Sequence, residues 1–108
     1  MEKNTIIHKI VPSEARISRN VLTREEMTAA IGYRASQIAN EGGEVYIDTT
    51  KKYMNNPLNI AAQELAESKF PLKLHRYVGS EGNTWYWEEF DINTMTKIDL
   101  DINPEVNI

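Results

Sequence analysis

The 108-residue sequence contains no cysteine. Within these residues that excludes a disulfide framework, a thiolate metal site and a thiol nucleophile. Histidine is nearly as scarce. His8 and His75 stand far apart, and neither sits in an HExxH-like arrangement. There is no phosphate-cradling GxxxxGK[ST] loop, no GxGxxG fingerprint and no GxSxG elbow. The few glycines, Gly42-Gly43 and Gly79/Gly82 among them, read as turn punctuation. No apolar run approaches the roughly 20 residues of a membrane span, and the opening "MEKNTIIHKI" lacks a signal-peptide core. The expected setting is intracellular. A basic surplus is also missing: 12 Lys and Arg face 16 Asp and Glu, for a net charge of −4, and the longest basic run is Lys51-Lys52. Proteins that grip nucleic acid through its phosphates carry a basic stripe, so direct nucleic-acid binding is not expected.

What is present is ordinary for a globular chain: 41% hydrophobic and 26% charged residues, enough for one domain with a modest core. Residues 1–21 read as an extended lead-in, with "TIIHKIVP" able to pair as an edge strand before Pro12 breaks it. "TREE" at Thr23 is a capping box, in which Thr23 and Glu26 satisfy each other's backbone amides. Met27, Ala30, Ile31, Ala35 and Ile38 then recur at helical spacing up to the stop "NEGG", which predicts a first helix over 23–40. "EVYID", residues 44–48, predicts a short strand. Asn56 and Pro57 mark the N-cap and first position of a second helix. Leu58, Ala61, Ala62 and Leu65 share one face of it, and Pro71 places its end near Lys69.

"LKLHRYV" and "TWYWEEF" alternate with period two on either side of "GSEGN", a hairpin whose loop is expected to exceed the tight two-residue type. Ile98, Leu100 and Ile102 could add a strand or belong to a tail. The fold class expected is α+β, two main helices packed on a small antiparallel sheet, with the domain at 22–92 and an extension at 93–108.

No constellation in the sequence carries chemistry, so no catalytic, cofactor or metal residues are assigned. Glu64 and Glu67, on a helix with Lys69, read as a solvated rim, and Glu88-Glu89 as a strand edge. Trp85, Tyr86 and Trp87 could stack bases as a single-stranded nucleic-acid module would. On alternate faces of a hairpin they more naturally divide between a core and a partner surface. Gly32 and Arg34 are out of place in an apolar helix, where glycine costs roughly 1 kcal/mol relative to alanine. Either Gly32 eases internal packing while Arg34 reaches solvent, or a second face of the helix meets a foreign chain. In the second case Gly32 admits a backbone, and Arg34 offers its planar fork to carbonyls or a carboxylate.

Three segments, in order, resemble one family. "LTREEMTAAIGYRASQIA" is similar to the first helix of the small RNA polymerase subunit called omega in bacteria, subunit K in archaea and the sixth subunit in eukaryotes. The matching positions are Leu22, Thr23, Glu26, Gly32, Arg34, Ala35, Gln37 and Ile38. "NPLNIAAQELAESKFPLKLHRY" resembles the second segment, through Pro57, Leu58, Glu64, Leu65, Lys69, Pro71, Arg76 and Tyr77 among others, and "GSEGNTWYWEEF" resembles the third. The lead-in is similar to copies carried by large nucleocytoplasmic DNA viruses. The family's paired arginines before the tyrosine are His75-Arg76 here, and Tyr86 stands where an aspartate usually precedes the hairpin tryptophan. The acidic tail of the eukaryotic subunit has no counterpart in these residues. The resemblance implies an omega-like fold and a non-catalytic polymerase subunit that clamps the C-terminal region of the largest subunit, away from the catalytic magnesium. It further implies contacts with neighbouring subunits, and partner-binding roles for Thr23, Gly32, Arg34, Gln37, Pro57, Glu64, Lys69, Arg76, Tyr77 and Trp87. With the charge and the lack of long apolar runs, the expectation is of no cofactor, no membrane and no nucleic acid bound directly by this chain.

Overall fold

A computed structural model describes residues 5–42, 44–50 and 55–97. The capping box forms as the sequence predicts. The Thr23 hydroxyl accepts from the Glu26 amide at 3.1 Å, and the Glu26 carboxylate accepts from the Thr23 amide at 3.0 Å. This cap opens helix α1, Arg24–Glu41, which Gly42 closes in the left-handed conformation at φ 60°. Helix α2, Pro57–Ala66, is opened by the Asn56 side chain accepting from the Leu58 amide at 2.9 Å, with Pro57 in its first turn.

Helix α2 ends three residues before the Lys69 boundary expected from Pro71. Ser68 turns to φ 57°, and its amide and that of Lys69 fold back on the carbonyls of Leu65 and Glu64 at 3.1 and 2.8 Å. Local capping therefore outruns the proline. The buried stripe of α2 is Ile60, Ala61, Glu64 and Leu65, whereas Leu58, expected on the apolar face, is exposed.

Strands β3, Lys73–Glu81, and β4, Thr84–Asp91, form the expected antiparallel hairpin. Its loop is the tight two-residue Gly82-Asn83, not a longer one, with Gly82 at φ 61° in the first central position. Gly79, Ser80 and Glu81 of "GSEGN" carry β3 on to the turn, past an irregularity in register between Tyr77 and Gly79. The lead-in supplies β1, Ile7–Ile10, which pairs parallel with β4, so the sheet order is β1-β4-β3. The sheet is therefore mixed, a correction to the antiparallel expectation. A second, two-stranded parallel sheet joins β2, Val21–Leu22, to β5, Thr96–Lys97. The proposed strand around Ile98, Leu100 and Ile102 lies outside the described residues. The α+β class stands.

Leu22, Leu65, Phe70, Phe90, Ile92 and Met95 form the core, with Met27, Ala30, Ile31, Leu72 and Leu74 packed against it. The Asn93 side chain pins Phe70 by both backbone groups, accepting from its amide and donating to its carbonyl at 2.9 Å each. That bond pair ties the turn after α2 to the short helical turn Ile92–Thr94 that follows β4.

Candidate protein-docking surface

The predicted site residues separate into an inner set that holds the chain to itself and an outer set that faces solvent. Arg34 belongs to the inner set. It is only 5% exposed, in line with Met27, Ala30 and Ile31 at helical spacing, and it faces the fully buried Glu64 of α2. Its Nε donates to Glu64 Oε1 at 2.7 Å and its Nη2 to Oε2 at 2.9 Å, a two-pronged pair in which both charges are satisfied. The remaining donors reach the Glu44 carbonyl at 2.8 Å and Gln37 Oε1 at 3.3 Å.

On the other side of the pair, the Tyr46 amide donates to Glu64 Oε2 at 3.2 Å, and the Arg34 guanidinium lies 5.7 Å from the Tyr46 ring. These contacts explain why residues 44–48 are not the strand expected there. The Glu44 carbonyl and the Tyr46 amide are bonded to the Arg34–Glu64 pair instead of to a neighbouring strand. Hydrogen bonding to Glu64 raises the Arg34 pKa further, so its charge is permanent.

Arg76 makes the second clasp. From β3 its Nε and Nη2 reach Glu26 at 2.7 and 2.9 Å, so one carboxylate caps α1 and anchors the sheet. Its other bonds run to the Ser18 hydroxyl at 3.0 Å and to the Arg19 carbonyl at 2.6 Å, with the Val21 carbonyl also accepting. Glu88, on the core face of β4 with Phe90, is fully buried. It accepts from the amides of Ile17 and Ser18 and from the Ser18 hydroxyl. Arg16 and Arg76 stand 4.5 and 4.9 Å from the centre of the Phe90 ring. The lead-in is thereby fastened across the sheet.

Glu88 was not among the expected site residues. The available signal was its period-two alignment with Tyr86 and Phe90, which places a carboxylate on the core face. Glu64 carries the equivalent signal, four residues after Ile60 on the buried stripe of α2. The rim and edge readings of these two glutamates are accordingly replaced by burial.

Hydrogen bonds from Arg76 hold the Glu26 carboxyl below its usual range against a smaller opposing effect of burial. Burial pushes Glu88 up, but the Ser18 hydroxyl, the two amides and Arg76 together leave it lowered. Both carboxylates therefore stabilise the fold above the ordinary glutamate pKa of about 4.3, and that contribution is lost as the pH falls through their depressed folded values. The expected result is a melting temperature that drops steadily below about pH 4.3, with a shallower drop in Glu26→Gln. Melting curves recorded across that range check it, and parallel slopes for the two proteins would contradict it.

Outer residues present a different chemistry. Tyr77 is half exposed, and its ring packs 5.4 and 5.5 Å from those of Trp85 and Trp87. His8 adds its ring 5.9 and 5.8 Å from the same two tryptophans, and Trp87 Nε1 donates to His8 Nδ1 at 2.9 Å. Tyr86 falls on the opposite face, so the three consecutive aromatics do not form one stacking platform. Below the cluster, His75 Nε2 and Glu89 Oε2 lie 2.9 Å apart, and Lys73 flanks the same carboxylate at 3.9 Å.

Among the remaining predicted positions, Gly32 is exposed, with nothing within 4 Å of where a Cβ would stand. Thr23 and Pro57 serve helix starts, and Lys69 is exposed beside Glu67. The structure brings Arg34, Gln37 and Glu64 together, and separately Tyr77 and Trp87. Among the described residues no three His, Asp or Glu side chains converge as metal ligands, and no helix is long and apolar enough to cross a membrane.

No family model matches the chain. Curated relatives do. It is 39% identical over 69 residues to the DNA-directed RNA polymerase subunit 6 homolog of African swine fever virus, isolate Warthog, covering 64% of this chain and 44% of that protein. The RPB6 homolog of the Badajoz strain matches at the same identity and coverage. Subunit RPABC2 of DNA-directed RNA polymerases I, II and III of Saccharomyces cerevisiae is 33% identical over 78 residues, covering 72% of this chain and 48% of that protein. The chain thus aligns with somewhat less than half the length of these relatives. At 33–39% identity over the aligned residues, the chain is similar to viral and yeast members of the RNA polymerase subunit 6 family alike.

Proposed function

We propose that this chain is an assembly subunit of a multisubunit DNA-directed RNA polymerase, with an omega-like fold, that clamps the C-terminal region of the largest subunit and supports its folding. Similarity to the viral and yeast polymerase subunits supports the polymerase setting. The observation carrying the docking role is the outer face of the three-stranded sheet, where Tyr77, Trp85, Trp87 and His8 cluster at the surface. Aromatic groups of this kind dominate protein interfaces, because they bury large area at little entropic cost. Their surroundings of Glu89, His75 and Lys73 are mixed in sign, which suits a protein partner better than a phosphate backbone. The subunit's effect on nucleotide addition is indirect, through the integrity of the largest subunit.

Co-expression with the large polymerase subunits of the same source tests this reading. The expected result is a stoichiometric complex and more of the largest subunit in the soluble fraction. Recovery of this chain alone, or its salt-sensitive retention on single-stranded DNA or RNA instead, would contradict it.

A further inference from the structure

The four residues of β1 are all exposed, although the strand is paired with β4 along one side. Ile6, Ile7 and Ile10 are 43, 49 and 47% exposed, a concentration of aliphatic surface within five residues. The direction of the backbone explains what the free side offers. The amides of Ile7 and Val11 donate to the carbonyls of Asn83 and Trp87 at 2.8 Å each, so the odd-numbered residues turn their backbone groups toward β4. In a parallel ladder the intervening residues turn theirs the other way. The amides and carbonyls of Ile6, His8 and Ile10 therefore point off the open edge, and no described strand pairs with them.

An open edge of this kind is matched by one chemistry, an extended backbone with alternate donors and acceptors. The side chains narrow the match. Ile6, His8 and Ile10 lie on the aromatic face, whereas Ile7 and Lys9 lie on the other. Lys9 is the strand's one fully charged residue, in a chain of net charge −4. An added strand that is apolar on the aromatic face and acidic beside Lys9 fits both sides. It would also extend the sheet next to Trp85 and Trp87, which pair in register with His8 and Ile10.

We propose that the free edge of β1 takes up an extended segment of a partner polymerase subunit, alternating apolar and acidic side chains, as a fourth strand. This rests on the polymerase reading above. Hydrogen–deuterium exchange on the full chain, free and in the complex purified with its co-expressed polymerase subunits, tests it at residue resolution. In the free chain the amides of His8 and Ile10 exchange quickly, whereas those of Lys9 and Val11 are slow. In the complex His8 and Ile10 are expected to slow at least tenfold.

Two variants accompany the measurement. Ile10→Pro removes an outward donor and leaves the bonds to β4, and Lys9→Glu reverses the charge. Each should leave the melting temperature of the free chain within a few degrees and weaken its retention in the complex about tenfold. If an intact complex forms while the His8 and Ile10 amides stay fast, the edge is unused and the proposal fails, though the polymerase reading stands. If they are slow in the free chain because two copies pair, the proposal is also overturned. If no polymerase subunit accompanies the chain, the functional reading itself fails first.

Discussion

Arg34→Ala is expected to destabilise the free chain by about 3–5 kcal/mol, enough to lower its melting temperature by well over 10 °C. The reason lies in what remains. Glu64 would be left fully buried, without the cation that both of its oxygens face. Glu64→Ala should do comparable damage from the other side, because the guanidinium cannot shed its proton to escape. Total stability of a domain this size is of the order of 5–15 kcal/mol, so either change removes a large share. Replacing both residues by apolar ones of similar volume, Arg34→Met with Glu64→Leu, should recover most of the loss, since neither charge then needs a partner. Thermal and urea melts of the parent, Arg34→Met, Glu64→Leu and the double variant close the cycle. Additive losses in the double variant would show that the two side chains do not act as a pair.

Glu88→Ala is expected to release the lead-in while α1 and α2 remain packed. The substitution leaves the Ile17 and Ser18 amides without their acceptor, at a cost of about 1–3 kcal/mol for each that stays dry. Local opening rises tenfold for every 1.4 kcal/mol or so, and proteolysis of an opened segment follows its population. Trypsin should therefore cut after Arg16 and Arg19 at least about tenfold faster in the variant, under conditions where the far-UV spectrum barely changes. Arg76→Ala acts on the same segment and also strips Glu26 of its cation, so its melting temperature falls further than that of Glu88→Ala. Unchanged cleavage in Glu88→Ala would mean that the lead-in is held elsewhere.

Much of this architecture was legible from local signals. The capping box at Thr23, the Asn56-Pro57 start and the period-two strands of the hairpin each depend on residues a few positions apart. Physical rules at that range are strong, and each of these elements forms. The edge strand in "TIIHKIVP" was legible too, but its parallel partner was not, because β1 meets β4 across most of the chain.

What could not be read were the long-range polar pairs. Arg34 looked like an anomaly in an apolar helix, and Glu64 like a solvated rim. Each takes its meaning only from the other, thirty positions away. The same holds for Glu88, whose donors lie seventy and seventy-one positions earlier in the lead-in. The strand expected over residues 44–48 does not form beside this clasp, and the hairpin loop was misjudged because Gly79, Ser80 and Glu81 pair as part of β3.

The family's Gly-x-Arg-Ala-x-Gln pattern thus has two components in this protein. Gly32 stays open at the surface. Arg34 and Gln37 belong to an internal lock that fixes α1 against α2 and holds the following segment in place. On this account the arginine serves docking by shaping the surface, not by touching the partner.

The doubly substituted Arg34→Met, Glu64→Leu chain tests that claim most directly, through its incorporation into the polymerase purified with its co-expressed subunits. The account predicts incorporation close to that of the parent chain wherever the variant's melting temperature is restored. A variant that folds with the parent's stability and is nevertheless absent from the complex would contradict it, and would assign Arg34 or Glu64 a direct contact with the partner.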